Sequence, residues 1–477
     1  MNSNGDGMDV TLSLTEKQHA VLGLHLFSGD GNESAAILLC GRSAGAKRHK
    51  LLARTIHLIP HKACIERTPV SIVWPTDIME PWLQEADRLG LSMVKVHSHP
   101  GGYSDFSWQD DQSDGDLFPC IDGWIAADVP HASAVMLPNG RMFGRTVSSR
   151  GVFERLRLVT VVGDDLHFWR PHDFGHERPP DLPEFTKRHA KAFGARTTRA
   201  LSELSVAVVG ASGTGSPTIA QLAHLGVGRI VIVDPDRVHE LNLNRILYAT
   251  IEDAKARRFK VDVLGDAIER IGLGTVVERY PVNLYTPEAV RAVAGCDVVS
   301  GCMDTAEGRF LLNLLANFYI LPYIDIGVTL EAGEDGEITQ VCGYLHYLQP
   351  DGSSLLSRGA ITLEDVQAEG MKRQNPVYYE EKRKAGYIKG VEENRPAVIS
   401  VNTQFAGLAV NELIARLNGF RENPNRAYAK IGMSLSEMAF YPETEPAAVC
   451  RYMSRQVGKG DVTPLLNLPE LSDPETA

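Results

Sequence analysis

Residues 205–216, SVAVVGASGTGS, decide the architecture of the C-terminal half of the chain. Ser205–Val209 is a short β-branched run, too brief for a helix and stopped by Gly210. Gly213 and Gly215 follow, and Pro217–Leu225 reads as a helix. Glycines at such a turn let the backbone approach a phosphate, and the helix N-terminus favours negative charge. Arg229–Val233 (RIVIV), Val276–Tyr280 and Asp297–Ser300 repeat the strand pattern with helical stretches between them. Uninterrupted apolar runs alternating with helices predict an α/β domain, Rossmann-like, around a mostly parallel sheet covered on both faces. A later helix, roughly Thr403–Leu417, closes the domain.

The glycine loop alone serves ATP and dinucleotide sites equally well, so its neighbours discriminate. Asp234 ends the second strand, where a carboxylate can hold ribose hydroxyls. The next residues, DPDRVHELNLNR, supply Asn242 and Arg245, and DAKARRFK supplies Lys260. An Asn-x-x-Arg pair with a lysine suits a polyphosphate rather than hydride transfer. The series resembles the ThiF/MoeB/ubiquitin-activating adenylyltransferases, which read D-x-D-x-V-x-x-x-N-L-x-R. That resemblance implies ATP and Mg2+ as cofactors, and adenylation of the C-terminal glycine of a ubiquitin-like modifier. Under it Gly210, Gly213 and Gly215 cradle phosphate, Asp234 binds ribose, and Asn242, Arg245 and Lys260 meet the phosphates. Asp304, in DVVSGCMDTAEGR, matches the family's magnesium-associated aspartate. Arg188, in KRHAKAFG, resembles the arginine that family members insert into a dimer partner's site, so a homodimer through this domain is expected.

Three positions depart from the family. Ser212 stands where glycine is usual. Two C-x-x-C pairs that hold a structural zinc in many relatives are here Ser354-Leu-Leu-Ser357 and Cys450-Arg-Tyr-Met453, and one thiolate cannot complete a tetrahedral site. Residues 355–400, where relatives carry a thioester cysteine, contain no cysteine. Cys342, Cys302 and Cys450 remain as candidate acceptor thiols, with Cys302 in a position that is often structural.

Upstream lies a second motif, His97-Ser98-His99-Pro100, followed by Ser107 and Asp110. On a strand, His97 and His99 project from one face. Pro100-Gly101-Gly102 turns the chain, so that Asp110, at the start of a helix, can return towards the imidazoles. Two imidazoles and a carboxylate suit a catalytic zinc, whose fourth position is left for water. A separate carboxylate must move the water's proton, and Ser107 could donate to the developing oxyanion. The pattern H-x-H-P-x6-S-x-x-D arises by chance in such a chain on the order of 1 in 10,000 times. It resembles the JAMM (MPN+) metalloproteases, which cleave isopeptide or peptide bonds after ubiquitin-like modifiers. The resemblance implies Zn2+ held by His97, His99 and Asp110, with Glu33 in GNESAAILLCG as general base. His131, in an apolar context, reads as structural.

The runs Ala35–Leu39, Val70–Val73, Met93–Val96 and Ser133–Met136, with a helix at Pro81–Leu89, make residues 1–165 an α+β JAMM domain. A proline-rich linker spans 166–184, the adenylation domain 185–455, and a poorly ordered tail 456–477.

Length, at 477 residues, agrees with more than one core. A net charge of −12 argues against a nucleic-acid partner, and no apolar run reaches the ~18 residues of a membrane span. Seven unpaired-looking cysteines and the absence of a signal peptide predict a cytoplasmic protein. The expected function is bifunctional: a zinc (iso)peptidase that trims or removes a modifier, and an ATP-dependent enzyme that activates it. A conjugating enzyme as partner and a role in antiviral defence follow only from resemblance to bacterial conjugation systems. Two rivals are a sulfur-carrier activator and a non-catalytic modifier-binding scaffold.

Overall fold

The computed structural model describes residues 8–332, 337–385 and 398–472. These form two compact units. Unit 1 holds residues up to 180 together with 318–320 and 457–466, and unit 2 holds the remainder from 181 onward.

Unit 1 is built on a nine-stranded mixed sheet. Its centre is the strand Ala35–Ala44, antiparallel to Arg48–Leu58 on one side and to Ser92–Ser98 on the other. Alternation of side chains explains the two layers. Ala36, Leu38, Cys40, Val94 and Val96 face one way, against the helix Glu16–Leu26 through Leu22 and Leu26. Ile37, Leu39 and Met93 face the other way, against Leu83 and Ala86 of the helix Glu80–Leu89 and Phe118 and Ile121 of the helix Trp108–Trp124. Cys40 sits in the first of these cores, where burial pushes its thiol far up.

Two features differ from the sequence reading. The start of the proline-rich linker is an edge strand, Leu166–Trp169, antiparallel to Leu158–Val162. Leu166, Phe168 and Trp169 are buried, so the segment gains more as a sheet edge than as a tether. The tail is also partly built into unit 1. Gly460 bridges Arg42 in parallel, and the Asp461 carboxylate accepts from the Ala44 amide at 2.7 Å. Gly41 permits this approach, since a Cβ there would lie 2.1 Å from the Gly458 carbonyl oxygen.

Unit 2 carries an eight-stranded sheet. Val276–Tyr280, Arg229–Val233, Ser205–Val209, Val298–Gly301 and Tyr323–Ala332 are parallel neighbours in that order. Ile338–Leu348, Lys430–Ser434 and Ala439–Glu443 extend it antiparallel. The helix Gly215–His224 leaves the glycine loop, and the helix Ile399–Leu417 packs beside it. Among the described residues, no helix is long and apolar enough to cross a membrane.

Candidate functional site

In unit 1 the strand Ser92–Ser98 carries His97 at its end, and His99 follows one residue beyond. The helix Trp108–Trp124 begins with Ser107 as N-cap and Asp110 at its third position, a reciprocal capping box. Ser107 Oγ accepts from the Asp110 amide at 3.2 Å and donates to Asp110 Oδ2 at 2.7 Å, and the Ser107 amide reaches the same oxygen at 2.7 Å. The cap therefore holds the carboxylate against the imidazoles. Its hydroxyl proton is committed to Asp110, so Ser107 acts here on that carboxylate rather than standing open to an oxyanion.

His97 Nε2 lies 2.8 Å from Asp110 Oδ1 and 3.1 Å from His99 Nε2, and His99 Nε2 lies 3.3 Å from Asp110 Oδ2. Three donor atoms of buried residues thus sit within 4.8 Å of one another, the one such cluster among the described residues. His99 Nδ1 meets the Tyr103 carbonyl oxygen at 2.8 Å, which fixes its ring and directs Nε2 inward. Two imidazoles and a carboxylate converging on one point fit a zinc ion. Burial lowers His97. It also disfavours the charged form of His99, but the hydrogen bonds to Asp110 and the Tyr103 carbonyl, with the Asp110 and Glu33 charges, together outweigh that and raise it. Burial pushes Asp110 up, whereas hydrogen bonds with His97 and His99 hold it well below the carboxylate range.

Glu33 lies two residues before Ala35, which pairs with His97 across the sheet. Ser34 and Ser98 lock the two strands: the Ser34 amide donates to Ser98 Oγ at 3.0 Å, and the Ser98 amide to the Ser34 carbonyl at 3.0 Å. Glu33, His97 and Asp110 line one cavity of about 790 Å³. Burial raises the Glu33 carboxyl to about 7, with the His99 charge opposing and the Asp110 charge adding. A carboxyl in that range can take and return a proton near neutrality.

Lys95 was not singled out in the sequence, although its spacing from His97 puts both on one strand face. It lines the same cavity and pairs with buried Asp114, which Arg145 also holds at 2.7 Å. His131 is structural in its contacts: its Nδ1 accepts from the Met93 amide at 3.0 Å, and burial lowers its pKa to about 4.

In unit 2 the glycine loop is a requirement of space. Gly210 has φ +95°, and a Cβ there would lie 2.5 Å from the Cys302 carbonyl oxygen. One on Gly215 would lie 1.8 Å from the Gly210 carbonyl oxygen, and one on Gly213 2.3 Å from Asn402 Nδ2. Ser212 is accommodated, its carbonyl accepting from the Ser216 amide at 2.9 Å. Asp234 Oδ2 accepts from the Ala211 amide at 2.7 Å and Oδ1 from the Asp236 amide at 2.8 Å. Lys260 Nζ donates to Asp236 Oδ2 at 2.7 Å and lies 3.8 Å from Asp234 Oδ1. Burial raises Asp234, and Lys260 opposes that shift.

A cavity of about 1160 Å³ collects Gly210, Gly213, Asp234, Asn242, Arg245, Lys260 and Asp304. Gly215, expected to cradle phosphate with them, is outside this lining and opens the helix Gly215–His224. Asn402, Lys372 and Arg373 also line it, from helices that no motif marked. Arg188 is exposed on the helix Lys187–Phe193, outside this lining.

Of the candidate thiols, Cys302 lines the cavity, and burial raises it to about 11. Cys342, on Ile338–Leu348, and Cys450 are buried and outside the lining, and burial raises Cys342 too. Around the zinc-pair positions, the Ser354 and Ser357 hydroxyls close their own turn with bonds of 3.1 and 2.8 Å. Arg358 pairs with Glu445 at 2.6 Å, and the Cys450 amide donates to the Gly352 carbonyl at 3.0 Å. Residues 386–397 of the cysteine-free segment lie outside the described residues.

The model of the ThiF family matches residues 186–450, and that of the prokaryotic homologs of the JAB domain matches residues 15–146. An adenylyltransferase and sulfurtransferase UBA4 of Meyerozyma guilliermondii is 33% identical over 134 residues, covering 28% of this chain and 31% of that protein. A ubiquitin-like modifier-activating enzyme 5 of Bombyx mori is 26% identical over 165 residues, covering 32% and 39%. The chain thus spans less than half the length of these curated relatives. A solved structure of E. coli MccB with ATP aligns at TM-score 0.41 and 17% identity, covering 57% of this chain and 75% of that one.

Proposed function

Because the chain belongs to the ThiF family, we propose that unit 2 is an ATP-dependent adenylyltransferase acting on the C-terminal carboxylate of a ubiquitin-like modifier. The observation that carries this is one cavity in which the glycine loop, Asp234, Asn242, Arg245, Lys260 and Asp304 converge. A carboxylate oxygen attacks the α-phosphorus of ATP, an acyl-adenylate forms, and pyrophosphate leaves. Arg245 and Lys260 offset the charge that accumulates on the phosphates, and Asp234, held by two amides, presents an oriented carboxylate to the ribose. Mg2+ held by Asp304 would neutralise phosphate charge.

Unit 1 is read as a zinc (iso)peptidase on the same class of modifier, trimming a precursor or releasing it from targets. A zinc ion held by His97, His99 and Asp110 would supply Lewis acidity towards water and the scissile carbonyl. Glu33 takes the proton of the attacking water and delivers it to the leaving amine, as its raised pKa suits.

ATP–pyrophosphate exchange dependent on a small modifier tests the first activity, and Asp304→Ala should abolish it. No exchange with any modifier would favour the scaffold. Metal analysis should find about one zinc per chain, lost on joint His97→Ala and His99→Ala substitution. A second reading of unit 2, activation of a sulfur carrier without a thioester, is favoured by one observation. The one cysteine lining the cavity, Cys302, is raised to about 11 and is a poor nucleophile. Trapping with labelled modifier and ATP decides between them: a thiol-sensitive adduct at Cys342 or Cys450 would remove the sulfur-carrier reading. An arginine acting across a homodimer predicts that Arg188→Ala loses exchange and regains it when mixed with an Asp304→Ala partner.

A further inference from the structure

Glu33 stands in a loop, and a general base must be held to a fraction of an ångström to be effective. What holds it is a separate two-stranded hairpin, Glu66–Thr68 with Ser71–Val73, which forms no part of the nine-stranded sheet. From that hairpin Arg67 spreads its guanidinium over the Glu33 loop. Nε donates to the Glu33 carbonyl oxygen at 2.9 Å, Nη2 to Ser34 Oγ at 2.8 Å, and Nη1 to Asp30 Oδ2 at 2.9 Å. The Glu33 amide in turn donates to the Thr68 carbonyl oxygen at 2.8 Å. Both backbone groups of the base residue are therefore spent on the hairpin. On the opposite side, Ser34 is locked to Ser98, between the two histidine ligands.

The Arg67 side chain is only 12% exposed, so its bonds are largely shielded from water. The planar fork holds its N–H groups at fixed, spread positions facing three separate acceptors, whereas a lysine ammonium gathers its three donors at one point on a flexible stem. The other strand of the hairpin, with Val70–Trp74, walls the cavity that Glu33 and His97 line.

We propose that Arg67 is the positioning residue of the peptidase base, clamping Glu33 between the hairpin and the histidine-bearing strand. The hairpin is then both a wall for the substrate segment and the mount of the base, so a segment seated against Val70–Trp74 bears on the element that aims Glu33. This rests on the peptidase reading of unit 1.

The test compares Arg67→Met and Arg67→Lys with the wild-type full chain, each zinc-loaded, on one C-terminally extended modifier. Arg67→Met is expected to lower kcat about 10- to 100-fold with KM within about twofold, zinc content unchanged, and Arg67→Lys in between. Hydrogen exchange supplies a readout independent of cleavage. Amides of Glu33 and Ser34 should exchange at least about tenfold faster in Arg67→Met, while Val94 and Val96 keep wild-type protection. A rise in KM alone, or loss of zinc, would make Arg67 merely structural and overturn the proposal. Unchanged exchange at Glu33 overturns the clamp whatever the chain cleaves. A wild-type chain that binds zinc and cleaves nothing overturns the peptidase reading itself.

Discussion

Glu33 is where burial converts an ordinary carboxyl into a group that titrates near neutrality. Its pKa stands at about 7 instead of 4.5, with desolvation as the main cause. A base works only when deprotonated, so peptidase kcat/KM should fall as the pH drops, along a limb lying above the usual carboxylate range. Glu33→Gln should abolish that limb, lower kcat by about 10²–10⁴ and retain zinc. A limb at the ordinary carboxylate pKa would mean that burial does not govern the base. The same shift has a stability consequence. The folded chain binds this proton more tightly than the unfolded chain, so ionising Glu33 costs stability as pH rises through the window from 4.5 to about 7. Above that window Glu33→Gln should melt higher than wild type, as expected of a residue whose proposed role is catalytic rather than stabilising. Thermal unfolding at acid and alkaline pH separates the two cases, since the gap should close below the window.

The helix Trp108–Trp124 would join folding to metal binding, because Asp110, which completes its capping box, is one of the three proposed zinc ligands. Ser107→Ala removes one acceptor for the first turn and one donor to Asp110. It should cost about 1 kcal/mol of stability and about 10- to 100-fold in zinc affinity, measured by unfolding and by competition with a chelator. A loss of stability with unchanged zinc affinity would confine Ser107 to capping. Asp110 at a helix start was legible in the sequence after the Pro100-Gly101-Gly102 turn, whereas Ser107, read there as an oxyanion donor, is instead the N-cap. The parallel sheet was legible too, from runs such as RIVIV, whose Ile230–Val233 are buried on both faces. The hairpin bearing Arg67 was only half visible: Val70–Val73 reads as a strand, but Arg67 reaches Glu33 across 34 positions through a backbone carbonyl, which leaves no pattern in side-chain types. The edge strand Leu166–Trp169 was hidden by the prolines around it, and the Gly458–Asp461 segment by glycines that read as tail yet take φ near +70° and +64° to lie against Arg42.

At the scale of the chain, the described residues that line each cavity come from one unit, so the chemical groups assigned to each site lie within that unit. Substitutions at separate, independent sites are expected to add. The His97→Ala, His99→Ala chain should therefore keep full modifier-dependent exchange, and Asp304→Ala should keep full cleavage. Their union in one polypeptide is what suggests a shared substrate: hydrolysis exposes a carboxylate, and adenylation consumes one. A modifier carrying a few extra C-terminal residues presents the wrong carboxylate to the adenylation cavity, so it should support exchange only after trimming. With wild-type chain, exchange on this precursor should begin after a lag that tracks cleavage. With the His97→Ala, His99→Ala chain it should stay absent, and adding Asp304→Ala chain as a source of peptidase should restore it. If the histidine variant activates the uncut precursor as fast as the mature modifier, the two activities do not act in sequence, and the peptidase serves release from targets instead.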